Sequence, residues 1–271
     1  MHQRLGQHFL VNPKAARAIV QALELAPDET VIEIGPGMGT LIDELENWNY
    51  GLRIIGIEKD KRLARFLQTR YAKTANIEII SGDALKILPA IIHDSKFMIQ
   101  GWKLVGNIPY YITGQLLRIL GGLESKPAIA VLMLQKEVAE RVSAKPPEMN
   151  LLSAMTQFWA EPKILLRLRQ QDFKPAPEVE SAIIKLEIKK QISPPKADQP
   201  LAENIKNKEY FSFVKILFKQ PRKTVFNNLK PGFGNIEKIK KILARYGLTG
   251  SERPQNLTLP LLIKLSEEFH E

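Results

Sequence analysis

The sequence predicts an α/β protein in which a doubly wound parallel sheet is followed by a small all-helical domain. Patterns typical of strands and helices alternate over residues 30–142. A turn with three glycines follows the first buried strand, and only helical periodicity remains after residue 200. Alternating strands and helices imply parallel strands joined by right-handed crossovers, which is the doubly wound arrangement.

The predicted elements follow one another in a regular order. Asn12 before Pro13 marks a helix start, because Asn is a good cap and proline suits the first helical position. Residues 128–135 are almost entirely apolar, as in a strand buried on both faces. The predicted strands cover residues 30–34, 53–57, 77–80, 103–105, 128–135, 159–168 and 181–188, and the predicted helices cover 13–25, 40–48, 61–71, 84–92, 112–120, 136–142, 210–218, 223–229, 236–246 and 259–269.

A proline-rich linker is predicted to divide the chain. Residues 193–200 contain three prolines and no apolar periodicity, so we expect one domain over residues 1–192 and a helical domain over residues 201–271. The chain has 39 Lys and Arg against 29 Asp and Glu, a formal charge of +10. The part from Gln191 onward carries 14 basic and 8 acidic residues. This tail is a candidate surface for nucleic acid, with a solvated charged face as the alternative.

The composition excludes several classes of protein. Cysteine is absent, which excludes disulfides, thiolate nucleophiles and zinc–thiolate sites. The four histidines (His2, His8, His93 and His270) lack ligand spacing, so no metal is expected. No apolar run reaches the roughly 18 residues of a membrane helix, and residues 1–10 lack a signal-peptide pattern. We therefore expect a cytoplasmic protein without a membrane association.

The glycine turn and two acids suggest a nucleoside-containing cofactor. Gly35, Gly37 and Gly39 allow a sharp bend and close approach of a ligand, but their spacing differs from the dinucleotide fingerprint and suits a cofactor without a pyrophosphate. Glu58 follows about 20 residues later, where a carboxylate reaches ribose hydroxyls. Asp83 follows the next strand and can accept a hydrogen bond from an adenine amino group. A tight connection, a surface acid and a helix cap are the structural alternatives.

The tetrapeptide Asn107-Ile108-Pro109-Tyr110, directly after the predicted strand 103–105, has the parts needed to methylate an exocyclic amino group. A side-chain amide and a prolyl carbonyl can accept the hydrogens of a planar NH2 group, and the tyrosine ring offers a stacking surface for the base. A strand followed by a proline turn is the structural alternative.

These residues resemble the ribosomal RNA adenine dimethyltransferases that use S-adenosylmethionine, and in particular the bacterial small-subunit (16S) type. The resemblance extends over nearly the whole chain, and the order and spacing of its segments are specific. The matching segments are residues 5–10, 33–37, 82–85, 106–110, 133–141, 173–177, 222–224 and 253–257.

The resemblance implies a Rossmann-like class I S-adenosylmethionine-dependent methyltransferase domain and a helical RNA-contacting domain. It implies transfer of methyl groups to N6 of two adjacent adenines of 16S rRNA, giving N6,N6-dimethyladenosine, in the small subunit or its precursor, by a monomeric enzyme. The implied cofactor-binding residues are His8, Leu10, Gly35, Gly37, Glu58, Asp83 and Asn107; the implied catalytic residues are Asn107, Pro109 and Tyr110; and the implied substrate contacts are Tyr110, Phe173, Arg222 and Lys223.

The chain departs from the common family pattern at five places, and at the first of them His8 stands where Asn is common. Tyr111 stands where Asn is common, Glu180 replaces Asp before a serine, and Pro221 precedes Arg222. Residues 150–153 lack the usual Tyr-Gly-Arg-Leu-Ser pattern, which removes an expected substrate contact.

Three other functions compete with this interpretation. The antibiotic-resistance methyltransferases of 23S rRNA share the Asn-x-Pro-Tyr block, although residues 134–141 and 222–224 favour the small-subunit type. A noncatalytic RNA-binding, assembly or transcription factor on the same scaffold is a second alternative, and a Rossmann dehydrogenase is a third.

Overall fold

The structure is a computed structural model that describes residues 8–48, 50–93, 101–189 and 200–270, with residues 93 and 200–206 as backbone only. The strands are β1 (Phe9–Leu10), β2 (Thr30–Ile34), β3 (Arg53–Glu58), β4 (Ile77–Ser81), β5 (Lys103–Asn107), β6 (Ile129–Gln135), β7 (Ala160–Leu168), β8 (Phe173–Lys174) and β9 (Ser181–Ile188). The α-helices are α1 (Pro13–Ala22), α2 (Thr40–Asn47), α3 (Lys61–Arg70), α4 (Ala84–His93), α5 (Thr113–Gly122), α6 (Lys136–Ser143), α7 (Leu151–Trp159), α8 (Pro200–Leu217), α9 (Val225–Phe233), α10 (Ile236–Arg245) and α11 (Leu259–His270).

The central sheet has seven strands in the order β4-β3-β2-β5-β6-β9-β7. The first five strands in this order pair in parallel, and β9 pairs antiparallel with β6. The chain order reverses between β2 and β5, and in open α/β sheets such a switch point is where ligands bind. Strands β1 and β8 form a separate antiparallel pair.

Local sequence signals explain where several helices begin. The Asn12 side chain accepts from the backbone nitrogens of Lys14 and Ala15, and Asp60 caps α3 in the same way. Asn150 caps α7 in a reciprocal arrangement with Ser153.

The described residues form two compact units. One contains the residues up to Ala139 together with Glu161–Ile188, and the other contains Glu140–Ala160 together with the residues from Lys189 onward. In the first unit β6 is almost fully buried, as its apolar sequence predicted. In the second unit the ring of Phe158 stacks on Tyr210 with a centroid distance of 4.0 Å, which joins α7 to α8.

The predicted α/β class with a helical C-terminal region is confirmed. Strands 30–34 and 181–188 match the prediction residue for residue. Helix α7 and the pair β1–β8 were not predicted, and Pro200 begins α8 instead of ending a linker. Residues 193–199 of the predicted linker lie outside the described residues, and the domain boundaries at 192 and 201 stay a prediction. In the described ranges, no helix combines the length and apolarity needed to cross a bilayer.

Candidate active site

The carboxyl ends of the central parallel strands bring four predicted residues to one edge of the sheet. Ile34 is in register with both Ile57 and Gly106, and Glu58 is in register with Ser81. Gly35, Glu58, Asp83 and Asn107 lie at or directly after these positions. This edge is therefore the candidate site.

The glycine turn is bonded directly to Glu58. The backbone nitrogen of Gly37 donates to Oε2 of Glu58 at 3.0 Å, and that of Asp60 donates to Oε1 at 2.8 Å. Glu58 is only 4% exposed, so it is not a surface acid. Burial raises the pKa of Glu58, while the backbone donors favour its ionised form. The carboxylate also accepts from the backbone nitrogen of Lys59, and its remaining acceptor capacity is available to a hydroxyl donor.

The second acid has partners within the protein. Oδ1 of Asp83 accepts from the backbone nitrogen of Leu85 at 3.0 Å. Asp83 therefore caps α4, which is the structural role considered for it as an alternative to cofactor binding. Its Oδ2 lies 3.3 Å from Nζ of Lys59. The Lys59 ammonium also lies 5.7 Å from the ring centroid of Tyr111. The hydrogen bond with Asp83, followed by the charge of Tyr111, raises the pKa of Lys59.

The side-chain amide of Asn107 is held in one orientation. Its Nδ2 donates to the backbone oxygen of His8 at 2.6 Å. Because a backbone carbonyl only accepts hydrogen bonds, the nitrogen must face His8 and Oδ1 must face away from it. No hydrogen bond to Oδ1 is present among the described residues, so this oxygen can accept from a ligand.

The turn after β5 orients the other two residues of the tetrapeptide. The carbonyl of Pro109 accepts from the backbone nitrogen of Ile112 at 3.0 Å and keeps its second lone pair. The hydroxyl of Tyr110 lies 3.4 Å from Oγ of Ser181 at the start of β9. Both ends of the Tyr110 side chain are thereby fixed.

Residues 8–11 form a strap, held by β8, beside the glycine turn. His8 Nδ1 lies 2.9 Å from the carbonyl oxygen of Pro175, and Leu10 pairs with Phe173. A Cβ atom on Gly37 would stand 2.8 Å from the ring of Phe9, so the strap and the turn are in close contact. Leu10 and Phe173 are buried in the core of the first unit. Phe173 was expected to face the target base, and this role stays a prediction.

Glu33 lies buried in the middle of the sheet beneath this site. It is 2% exposed, and its Oε2 has no hydrogen-bond partner among the described residues. Burial, followed by the charges of Glu58 and Asp43, raises the pKa of Glu33 to about 8. The carboxyl is therefore mainly protonated at neutral pH.

Comparison with known proteins assigns the family. A family model described as ribosomal RNA adenine dimethylase matches residues 1–269. The chain belongs to the ribosomal RNA adenine dimethylase family. Relatives in this family include proteins named ribosomal RNA small subunit methyltransferase A. The protein of Koribacter versatilis is 33% identical, with 98% of this chain and 93% of the relative covered. That of Thermotoga maritima is 35% identical, with 99% and 85% covered.

Solved structures agree with this dimethylase assignment. A dimethyladenosine transferase from Plasmodium falciparum has a TM-score of 0.79 at 25% identity, with 97% of this chain and 98% of that chain covered. The 23S rRNA methyltransferase ErmE has a TM-score of 0.71 at 24% identity, with 97% and 100% covered, and this likeness concerns the fold alone.

Two predicted substrate residues lie outside the first unit of this dimethylase. Arg222 and Lys223 are exposed in the turn between α8 and α9 of the second unit. No role was predicted from sequence for Phe9, Lys59, Glu33 or Ser181. Lys59 directly follows Glu58 and Glu33 lies two positions before Gly35 in the sequence, so both could have been named as candidates. No feature of the local sequence indicates that Ser181 lies close to the tetrapeptide. Within the described ranges, no three His, Asp or Glu side chains are grouped to hold a metal ion.

Proposed function

We propose that this chain transfers methyl groups from S-adenosylmethionine to N6 of two adjacent adenines in small-subunit (16S) rRNA, giving N6,N6-dimethyladenosine. Family membership and relatives named for the small subunit, at 33% to 36% identity over nearly the full chain, support this substrate. The observation that carries the chemistry is the Asn107 amide, oriented by the carbonyl of His8 at 2.6 Å.

The residues at the sheet edge suit S-adenosylmethionine. Gly35 and Gly37 have φ angles of +69° and +58°, which residues with side chains rarely adopt, so glycine allows the sharp turn that would lie against the ligand. The buried carboxylate of Glu58 would accept from the ribose hydroxyls, and Asp83 would accept from the adenine amino group. When bound, the cofactor supplies an electrophilic methyl group on a positively charged sulfur.

The protein has to activate a poor nucleophile, because the lone pair of an adenine amino nitrogen is delocalised into the ring. Oδ1 of Asn107 and the carbonyl of Pro109 would accept the two amino hydrogens, and this favours localisation of the lone pair on nitrogen. Such fixed acceptors lower the barrier by positioning and electrostatics, so no strong base is needed. Once the nitrogen carries the methyl group, Oδ1 of Asn107 and the carbonyl of Pro109 would hold its surplus proton until water accepts it.

The base must leave its neighbours to reach these acceptors. Tyr110, whose hydroxyl lies near Ser181, would stack on the flipped adenine, and stacking contributes roughly 1–3 kcal/mol per base. Phe173 is the proposed partner on the opposite face. In the second unit, Arg222 and Lys223 would contact rRNA phosphates. We further propose that the protein acts as a monomer, and that residues 1–192 and 201–271 are its two functional domains.

The proposal is tested by methyl transfer to small subunits that lack the modification. Tritiated S-adenosylmethionine measures transfer, and mass spectrometry of rRNA fragments identifies dimethyladenosine. We expect two adjacent modified adenines in 16S rRNA and none in 23S rRNA. Label confined to 23S rRNA, or titration calorimetry that shows binding of NAD but not of S-adenosylmethionine, would contradict the proposal.

A further inference from the structure

Helix α3 begins directly beside the proposed cofactor site. The backbone N–H of its cap, Asp60, donates to Oε1 of Glu58 at 2.8 Å, so the first turn of α3 is fixed beside the carboxylate that would bind the cofactor ribose. The next residues are Lys61 and Arg62, followed by Arg65 one turn later. Surface charge on this helix therefore lies next to the reaction site.

These cations are not placed where they stabilise the helix. The N-terminal end of a helix carries a partial positive charge, so acidic residues are favoured there and basic residues are disfavoured. The first turn of α3 has no acidic residue. Arg62 has a partial partner in Asp60 at 3.3 Å, but its side chain remains 84% exposed. A local arrangement that opposes helix stability is expected at a functional surface.

The same face of α3 carries an exposed aromatic ring and lines an open surface depression. Arg62, Arg65, Phe66 and Thr69 are spaced at i, i+3, i+4 and i+7, so they share one side of the helix. Phe66 is 43% exposed. With Lys61 they line an open surface depression of about 480 Å³ that has no carboxylate in its lining. Neither Lys61 nor Arg65 has a salt-bridge partner in the part of the chain that the structure describes.

We propose that this face of α3, residues 61–69, binds the rRNA backbone beside the proposed cofactor site. Lys61, Arg62 and Arg65 would neutralise phosphates, and Phe66 would stack on an unpaired base. Cations that surround an exposed ring, with Asp60 as the carboxylate that contacts one of them, are complementary to a nucleic-acid strand. This inference rests on the proposed function and adds a contact surface in the first unit to the proposed contacts of Arg222 and Lys223.

The proposal is tested by measuring the affinity of the protein for small ribosomal subunits at KCl concentrations from 50 to 200 mM. We compare the wild-type protein with Arg62→Gln/Arg65→Gln, with Phe66→Ala, and with the control Lys73→Gln/Lys163→Gln, which removes two exposed cations elsewhere. Loss of two phosphate contacts should lower the salt slope of log K by about 1.4. The double Arg variant should bind about tenfold more weakly, and Phe66→Ala should bind about fivefold more weakly with an unchanged slope. The control should behave as wild type.

If both α3 variants bind small subunits with the affinity and the salt slope of the wild-type protein, the proposal is overturned. The face of α3 is then a solvated charged surface. Equal loss in the control would also overturn it, because the effect would then be one of net charge. Titration with S-adenosylmethionine verifies folding, and Arg65→Gln alone repeats the test with one exposed substitution. A wild-type protein that binds RNA through α3 but transfers no methyl group would refute the proposed function and leave this surface standing.

Discussion

Replacement of Glu33 by Gln should change how stability depends on pH. The folded-state pKa of about 8 lies above the ordinary value of 4.5, so over this range the folded protein holds a proton that the unfolded chain has released. Stability from this proton is fully present below pH 4.5 and is lost as the pH rises through 8. The slope is about −1.4 kcal/mol per pH unit for one group. Between pH 6 and pH 8 the wild-type protein should lose about 2 kcal/mol relative to Glu33→Gln.

Urea unfolding at pH 6, 7 and 8, followed by intrinsic fluorescence, measures this difference. Because both proteins contain the same titratable groups apart from Glu33, the difference between the two pH profiles reports on position 33 and on its coupling to Glu58 and Asp43. Glu161→Gln, an exposed carboxylate on β7, is the matched control and should follow the wild-type profile. Parallel pH profiles for wild type and Glu33→Gln would refute the reasoning that burial keeps this carboxyl protonated.

Three further substitutions test the site. Asn107→Ala should abolish methyl transfer in a tritiated-methyl assay, while cofactor binding measured by calorimetry weakens only moderately; unchanged turnover would exclude the proposed role. Gly37→Ala would place a Cβ atom 2.8 Å from the ring of Phe9, at a φ of +58° that alanine rarely adopts, so we expect at least tenfold weaker cofactor binding. The control is Gly114→Ala, whose Cβ atom would meet no atom within 4 Å, and it should bind the cofactor normally. Tyr111→Asn removes the ring near Lys59, and because an exposed cation–π contact contributes about 0.5–1 kcal/mol, the free energy of unfolding measured with urea should fall by about this amount; a stability equal to wild type would mean that the contact contributes nothing to the fold.

The sheet was predictable where buried strands have continuous apolar sequences. Strand β6 is one such run, and its observed and predicted bounds differ by one residue. The antiparallel direction of β9 was not predictable, because periodicity reports burial and not pairing. Strands β1 and β8 have two residues each, too few for any period. Helix α7 was missed although Asn150 and Ser153 form a cap that could have indicated its start.

The part of the site that follows from the geometry of parallel strands could be predicted from the sequence. Parallel strands place their carboxyl ends at one edge, and this rule brought Glu58 and Asp83 together from sequence alone. Contacts that depend on packing between segments far apart in the sequence could not be predicted. The bond from Asn107 to His8 joins residues 99 positions apart, and the approach of Lys59 to Tyr111 depends on side-chain conformation.

The strap has a consequence for the order in which the protein is completed during synthesis. Residues 8–110 include the proposed cofactor groups and all of the tetrapeptide, yet the strap is held by Asp172, Phe173 and Pro175, made more than 60 residues later. Contacts of such long sequence separation form late, because the loop between them must close first. We expect a nascent chain that ends before residue 172 to lack a fixed His8 carbonyl, and therefore an oriented Asn107 amide. A growing chain on the ribosome would acquire its methyl-transfer geometry only after β8 has emerged.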